Sequence, residues 1–198
     1  MTFAHRRMAI TGLAVFALIT VGCSTSQTPE PPQVGLIATT VPETPAATAD
    51  VTLTGDRDVE VTLIGPIAAK YTSATEAQRQ ALGKPLTGDH NAGTRDSGAV
   101  FQQFQNGVII AKNGAAGTPA YITDGKIREA WNVPRDADGM PAVSGNNGSA
   151  GPLGVPTSDA NIVGDLTVTT FEHGKVEYNA QTGQVVVTVN DKIVPSGL

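Results

Sequence analysis

Cysteine is nearly absent from this 198-residue chain: Cys23 is the only one. No disulfide can therefore form within it, and any fold must be held by packing alone. Histidine is almost as scarce, with His5, His90 and His173 only, and there is no cysteine pair and no His-Glu-x-x-His stretch. That excludes a histidine or thiolate zinc site, and no metal or cofactor is expected. Asp136-Ala137-Asp138-Gly139 lacks the third acidic position and the distal glutamate of a calcium loop. No Gly-x-Ser-x-Gly elbow occurs, and Gly148-Ser149-Ala150-Gly151 has the wrong spacing for one. Basic residues form no stripe and the formal charge is -5, which excludes nucleic acid as a partner. Aromatics make up 5% of the chain and Trp131 is the sole tryptophan. Gly 22 and Pro 13 are high by contrast, so the chain reads as rich in turns around a modest core.

The N-terminal residues carry an address. His5, Arg6 and Arg7 are followed by an almost wholly apolar run over 8–21, then the small Gly22, then Cys23. A basic start, a short apolar stretch and a small-residue cut site define a secretory signal. The run is shorter than the ~20 residues that a spanning helix needs. A cysteine directly after the cut resembles the lipobox of bacterial lipoproteins, with Thr20 where leucine is usual. The resemblance implies a signal peptide over 1–22, lipidation of Cys23, and attachment to the outer face of the cytoplasmic membrane, in the cell envelope. Arg6-Arg7 also fits a twin-arginine export signal, so the export route stays open. Each buried acyl methylene contributes about 0.8 kcal/mol, so two or three chains anchor a protein firmly without any membrane-binding face. The segment 23–50 then reads as a tether, with Pro29, Pro31, Pro32, Pro42 and Pro45 among Thr, Ala, Gln and Ser. Such sequence stays extended because it cannot bury enough apolar surface to fold.

About 145 residues remain for folding, enough for one domain or two small repeats. Val51-Thr52-Leu53 and Val59-Glu60-Val61-Thr62-Leu63 alternate around Gly55-Asp56-Arg57-Asp58, so 51–64 reads as a hairpin or two short strands. Pro66 suits a first helical turn. From there the chain states its landmarks twice. Ile67 and Tyr71, like Ile127 and Trp131, lie four apart on one helix face, with Asp124 a candidate N-cap for the second helix. Leu82-Gly83-Lys84-Pro85 matches Leu153-Gly154-Val155-Pro156, and Phe104-Gln105-Asn106-Gly107 matches Phe171-Glu172-His173-Gly174. An apolar alternating stretch, a glycine turn and a last strand follow each. The spacing between copies stays between about 60 and 71 residues, a sign of repeat architecture, with a Gly/Asn/Ser-rich insertion over 136–151 in the second copy. Ser73-Ala74-Thr75-Glu76 reads as a capping box before a helical run over 75–81 that Gly83 ends.

This order of landmarks resembles the LGFP repeat of actinobacterial (mycobacterial-type) cell-envelope proteins, over 64–190. Lys84 and Val155 stand where the name-giving phenylalanine is usual. The expected fold is α+β: two tandem small repeats, 65–123 and 124–192, each a short helix, a Leu-Gly-x-Pro loop, a β-hairpin and a further strand. The β segment 51–64 precedes them and 193–198 is a tail. Leu82, Leu153, Phe104 and Phe171 are expected in the core; Gly83, Gly154, Gly107 and Gly174 allow turns; Pro85 and Pro156 stiffen loops. Trp131, Tyr71 and Tyr178 are the candidates for stacking on a sugar.

The resemblance implies a non-catalytic, lipid-anchored protein whose repeats associate with a cell-wall polysaccharide or peptidoglycan. Composition and spacing alone equally allow a structural or protein-binding accessory lipoprotein that presents an envelope protein partner. A hydrolase acting on envelope components would have to use His173 or Ser149, and no catalytic residue is assigned.

Overall fold

The computed structural model describes residues 49–198, which lie within one compact unit. The expected signal peptide, Cys23 and the tether lie outside the described residues, apart from the exposed Ala49 and Asp50. The chain runs β1 (Val51–Thr54), β2 (Glu60–Leu63), α1 (Gly65–Ser73) and α2 (Glu76–Leu82). A four-stranded antiparallel meander follows: β3 (Ala92–Thr94), β4 (Val100–Gln103), β5 (Gly107–Ala111) and β6 (Ala120–Asp124). After α3 (Gly125–Trp131) and a 3-10 turn (Gly148–Ala150) comes a five-stranded meander of β7 (Asn161–Val163), β8 (Leu166–Phe171), β9 (Gly174–Asn179), β10 (Val185–Val189) and β11 (Lys192–Val194). The α+β class read from the sequence is the class observed. Among the described residues no helix is long and apolar enough to cross a membrane.

Local sequence accounts for the helices, with two corrections. In α1, Pro66 sits in the first turn and Ile67 and Ala68 face the core. The capping box before α2 is Thr75 with Gln78, not Ser73 with Glu76: the Thr75 hydroxyl accepts the Gln78 N–H at 3.2 Å and Gln78 Oε1 accepts the Thr75 N–H at 2.9 Å. The box shifts because Ser73 still belongs to α1, its hydroxyl donating to Lys70 O, and glutamine fills the third helical position as well as glutamate does. Asp124 occupies the N-cap position of α3, but its side chain makes no capping bond. Burial pushes its carboxyl pKa up, against the pull of Arg128 and with a further push from Asp159.

Two cores share one sheet. Ile109, Ala111, Ala120 and Ile122 face Ile67, Ala68, Leu82 and Phe104, whereas Phe101, Val108 and Ile110 face a cluster with Ile127, Trp131, Leu153, Phe171, Val176 and Val187. The centre of the four-stranded sheet is therefore buried on both faces, which is why β5 reads Gly-Val-Ile-Ile-Ala without alternation and is buried throughout, while the edge strand β3 is exposed. Lys70 of α1 and Asp159 form an ion pair, and the other Asp159 oxygen accepts the Ile122 N–H at 2.8 Å. One carboxylate thus ties α1 and β6 to the segment leading into β7.

The residues after β10 correct the expected tail. Residues 193–198 begin inside β11, and the insertion 136–151 is not loose. Arg135, 2% exposed, donates to the carbonyls of Gly139 (2.9 Å), Ala130 (3.4 Å), Pro195 (2.8 Å) and Ser196 (2.6 Å), while its backbone bridges to Pro141 and Asn146. Asp136 Oδ1 is occupied by the N–H groups of Asp138 and Met140, closing a local turn rather than facing a cation. We expect Arg135→Met to cost about 3 kcal/mol, because several buried carbonyls lose their donor at once. Denaturant unfolding and limited proteolysis within 136–151 measure this.

Candidate functional site

The two halves of the motif clasp each other. In the first copy the Phe104–Gly107 turn donates the Asn106 N–H to Leu82 O and the Gln105 N–H to Lys84 O, both at 3.0 Å. In the second copy the His173 N–H reaches Leu153 O at 3.1 Å and the Glu172 N–H reaches Val155 O at 3.0 Å. Gln105 Oε1 accepts the Lys84 N–H at 3.0 Å, just as Glu172 Oε2 accepts the Val155 N–H at 3.1 Å. Pro85 bridges to Phe104, and Pro156 to Phe171. Gly83 and Gly154 both have φ near 75°, a left-handed conformation that favours glycine, and a Cβ at either would lie 2.6–2.7 Å from the Gln105 or Glu172 side chain. Gly107 is needed for closeness: a Cβ there would meet Leu82 Cδ2 at 2.6 Å.

A hairpin also closes over each Leu-Gly-x-Pro loop. At the first loop the β1–β2 turn donates the Asp56 N–H to Pro85 O at 3.0 Å, and Asp56 Oδ1 accepts from both the N–H and the hydroxyl of Thr87 at 2.9 Å. Lys84 pairs with Asp58 at 3.1 Å. At the second loop the β5–β6 hairpin takes the same place, and Lys112 pairs with Glu172 at 2.7 Å. The helices obey the same order, since α1 starts at Gly65 with φ 52° and α3 at Gly125 with φ 51°. Asn190, φ 47°, repeats that junction after β10, but β11 follows it in place of a helix.

Residues 82–138 match the family model of the LGFP repeat. Over those residues the chain is similar to an LGFP repeat. The matched segment begins at Leu82, crosses the four-stranded sheet and includes α3. The segment similar to the LGFP repeat thus runs from the Leu-Gly loop to just past the helix that follows the sheet. Residues 153–189 repeat its hydrogen bonds through Leu153, Gly154, Pro156, Phe171 and Gly174. No curated protein matches the chain.

Within this scaffold the aromatic candidates separate. Trp131 is 4% exposed and its indole N–H donates to Gly154 O at 2.9 Å, so it has no open face for a sugar. It instead fixes α3 to the second Leu-Gly loop and packs on Phe171 at 5.8 Å. Tyr71 lies parallel to the buried Phe104, centroids 5.9 Å apart, with one side half-open. Tyr178 is half-buried on β9 against the second core. These three do not converge on one cavity. Ser149 is buried with its hydroxyl unbonded, and His173 lines a polar cavity of about 550 Å³ with Asn190, Asp136 and Asn146; no hydrogen bond links the serine to the histidine. Among the described residues no group of three potential metal-binding side chains clusters.

Glu172 and Tyr121 are the residues that sequence reasoning passed over. The signal for Glu172 lay in its matching Gln105: both copies carry a side-chain acceptor directly after the motif phenylalanine. The hydrogen bond from Lys112 holds the Glu172 carboxyl pKa below its ordinary 4.5, and the Val155 N–H adds to this. A depressed folded pKa contributes stability above the unfolded value that is lost as pH falls through the folded one. We therefore expect the thermal midpoint of the native chain to drop more steeply than that of Glu172→Gln between pH of about 6 and 3. Glutamine at 172 gives the second clasp the group that the first already uses. Thermal melts of both proteins across that range check the slope.

Gly174 is the position where the clasp tolerates least. A Cβ there would collide with the Thr188 carbonyl across the β9–β10 pair and come within 3.2 Å of Leu153 Cδ2. Gly174→Ala is expected to cost about 3 kcal/mol, the upper end for overpacking, whereas Gly164→Ala, where a Cβ meets nothing within 4 Å, costs about 1 kcal/mol for its left-handed backbone. Urea unfolding of the two variants compares them.

Proposed function

We propose that this chain is a non-catalytic, lipid-anchored protein of the cell envelope whose LGFP-type repeats associate with a cell-wall polymer. The observation that carries this reading is the LGFP match over 82–138, on a scaffold whose bonds recur over 153–189. Repeats of this kind imply attachment to the envelope, and two copies side by side offer two points of contact to a polymer that itself repeats. Cys23, following its apolar run and Gly22, supplies the anchor, and the proline-rich 24–50 supplies reach. The partners are then the membrane, through the acylated cysteine, and the wall.

Exposed apolar side chains favour a second reading, an accessory lipoprotein that binds an envelope protein. Ile162 and Val163 on the edge strand β7 are 75% and 61% exposed, and Ile193 on the opposite edge strand β11 is 77% exposed. Sedimentation of the detergent-extracted full chain with purified walls distinguishes the two. Wall association predicts saturable pelleting without any other protein; a supernatant fraction unchanged at every wall concentration refutes it. Chemical cross-linking in cells that yields a stoichiometric protein adduct supports the accessory reading. Metabolic labelling with palmitate is expected to mark the native chain and not Cys23→Ala.

A further inference from the structure

The two hairpin-on-loop contacts are built alike but finished differently. At the first, the β1–β2 turn lies so close on the loop that a Cβ at Gly55 would sit 2.6 Å from Thr87 Cγ2 and 3.1 Å from Pro85 O. Asp56 and Lys84 bridge what remains. At the second, the longer β5–β6 connection stands off the loop and leaves a cleft of about 370 Å³. Tyr121 takes the place that Val61 holds on β2: each lies four residues before the left-handed glycine, Gly125 or Gly65, that opens the next helix. Its half-exposed ring lines the cleft together with Pro119 and Pro156, and Val155, at the third motif position, forms part of the wall. These are flat apolar surfaces. Polar groups stand beside them in fixed positions. Glu172 is held by the Lys112 ammonium and the Val155 N–H, which orient its carboxylate and keep it charged. Asn113 Oδ1 accepts from the Ala115 N–H at 2.9 Å and the Thr118 hydroxyl at 2.6 Å, which fixes the amide with its NH₂ group unpaired among the described residues. The Tyr121 hydroxyl likewise has no partner among them.

A pyranose has this same division: an apolar face of C–H groups and a rim of hydroxyls that both donate and accept. Aromatic rings cover the first, and a few placed polar groups satisfy the second. We infer that this cleft is a glycan subsite, with one pyranose ring lying on Tyr121 between Pro119 and Pro156 and its hydroxyls bonded to Glu172 and Asn113. The inference rests on the wall-association reading and names the polymer's sugar backbone as the part that is held. It also gives a consequence to valine at the third motif position, since a larger side chain at 155 would fill the cleft from below.

The test uses the detergent-extracted full chain and two soluble probes, tetra-N-acetylchitotetraose and muramidase-released wall glycan, in calorimetric titration and saturation-transfer NMR. Saturable binding of at least one probe is expected, with saturation passing between the Tyr121 ring and the sugar. Tyr121→Ala weakens it about 10-fold or more, Tyr121→Phe keeps most of it, and Val155→Phe abolishes it. Where Tyr121→Ala fails to fold, Val155→Phe and the native-protein NMR decide. Binding that is indifferent to both cleft variants, or no binding of either glycan, overturns the subsite. A protein that still pellets with walls under that result keeps the wall reading while losing the cleft; glycan binding through Tyr121 without pelleting does the reverse.

Discussion

A side chain reaching back to a loop amide is the interaction on which the rest of this fold depends. Gln105 and Glu172 each accept the N–H of the residue after a left-handed glycine, and the backbone beside them donates to the same loop. A loop of Leu-Gly-x-Pro has no ladder of its own, and its polar backbone groups would be costly to leave unpaired beside a core. The clasp satisfies them and so lets Leu82 and Leu153, at 0% and 1% exposure, anchor their cores directly next to a turn. The glycine positions follow from this closeness. The side chain that makes the bond lies where a Cβ would be.

The same geometry explains how copies join. A hairpin covers the loop of the copy after it, so the β1–β2 hairpin serves the first Leu-Gly-x-Pro loop as the β5–β6 hairpin serves the second. The four-stranded sheet then has a core on each side. Asp159 and Lys70 tie α1 to the segment before β7, and Arg135 gathers the insertion and the residues after β11 around one buried guanidinium. That cation has carbonyl partners and, among the described residues, no carboxylate, and desolvation pushes its pKa down, so its role is to organise backbone.

Much of this was legible in the sequence where two positions had to agree. The Leu-Gly and Phe-x-x-Gly landmarks recur because each needs the other, and the α+β class followed from alternating strands after short helical spacings. Pairing also located the hairpin over 51–64. What was not legible depended on contacts made across long separations. Trp131 has the composition of a sugar platform, but its indole N–H is turned inward to Gly154 O. The insertion 136–151 has the composition of a loose loop, but Arg135 orders it from its flank. Asp124 stands at a helix start, but burial beside α3 gives its carboxylate no capping bond. Tyr121 was passed over because its importance comes from a cleft between copies that no single motif describes.

Native-state amide hydrogen exchange tests the clasp most directly. The account predicts that the amides of Lys84, Asn106, Val155 and His173 exchange only through the same large opening as the centres of β5 and β9, although all four lie in loops or turns. Exchange of these four amides at rates typical of exposed turns, with the strand centres still protected, would contradict it.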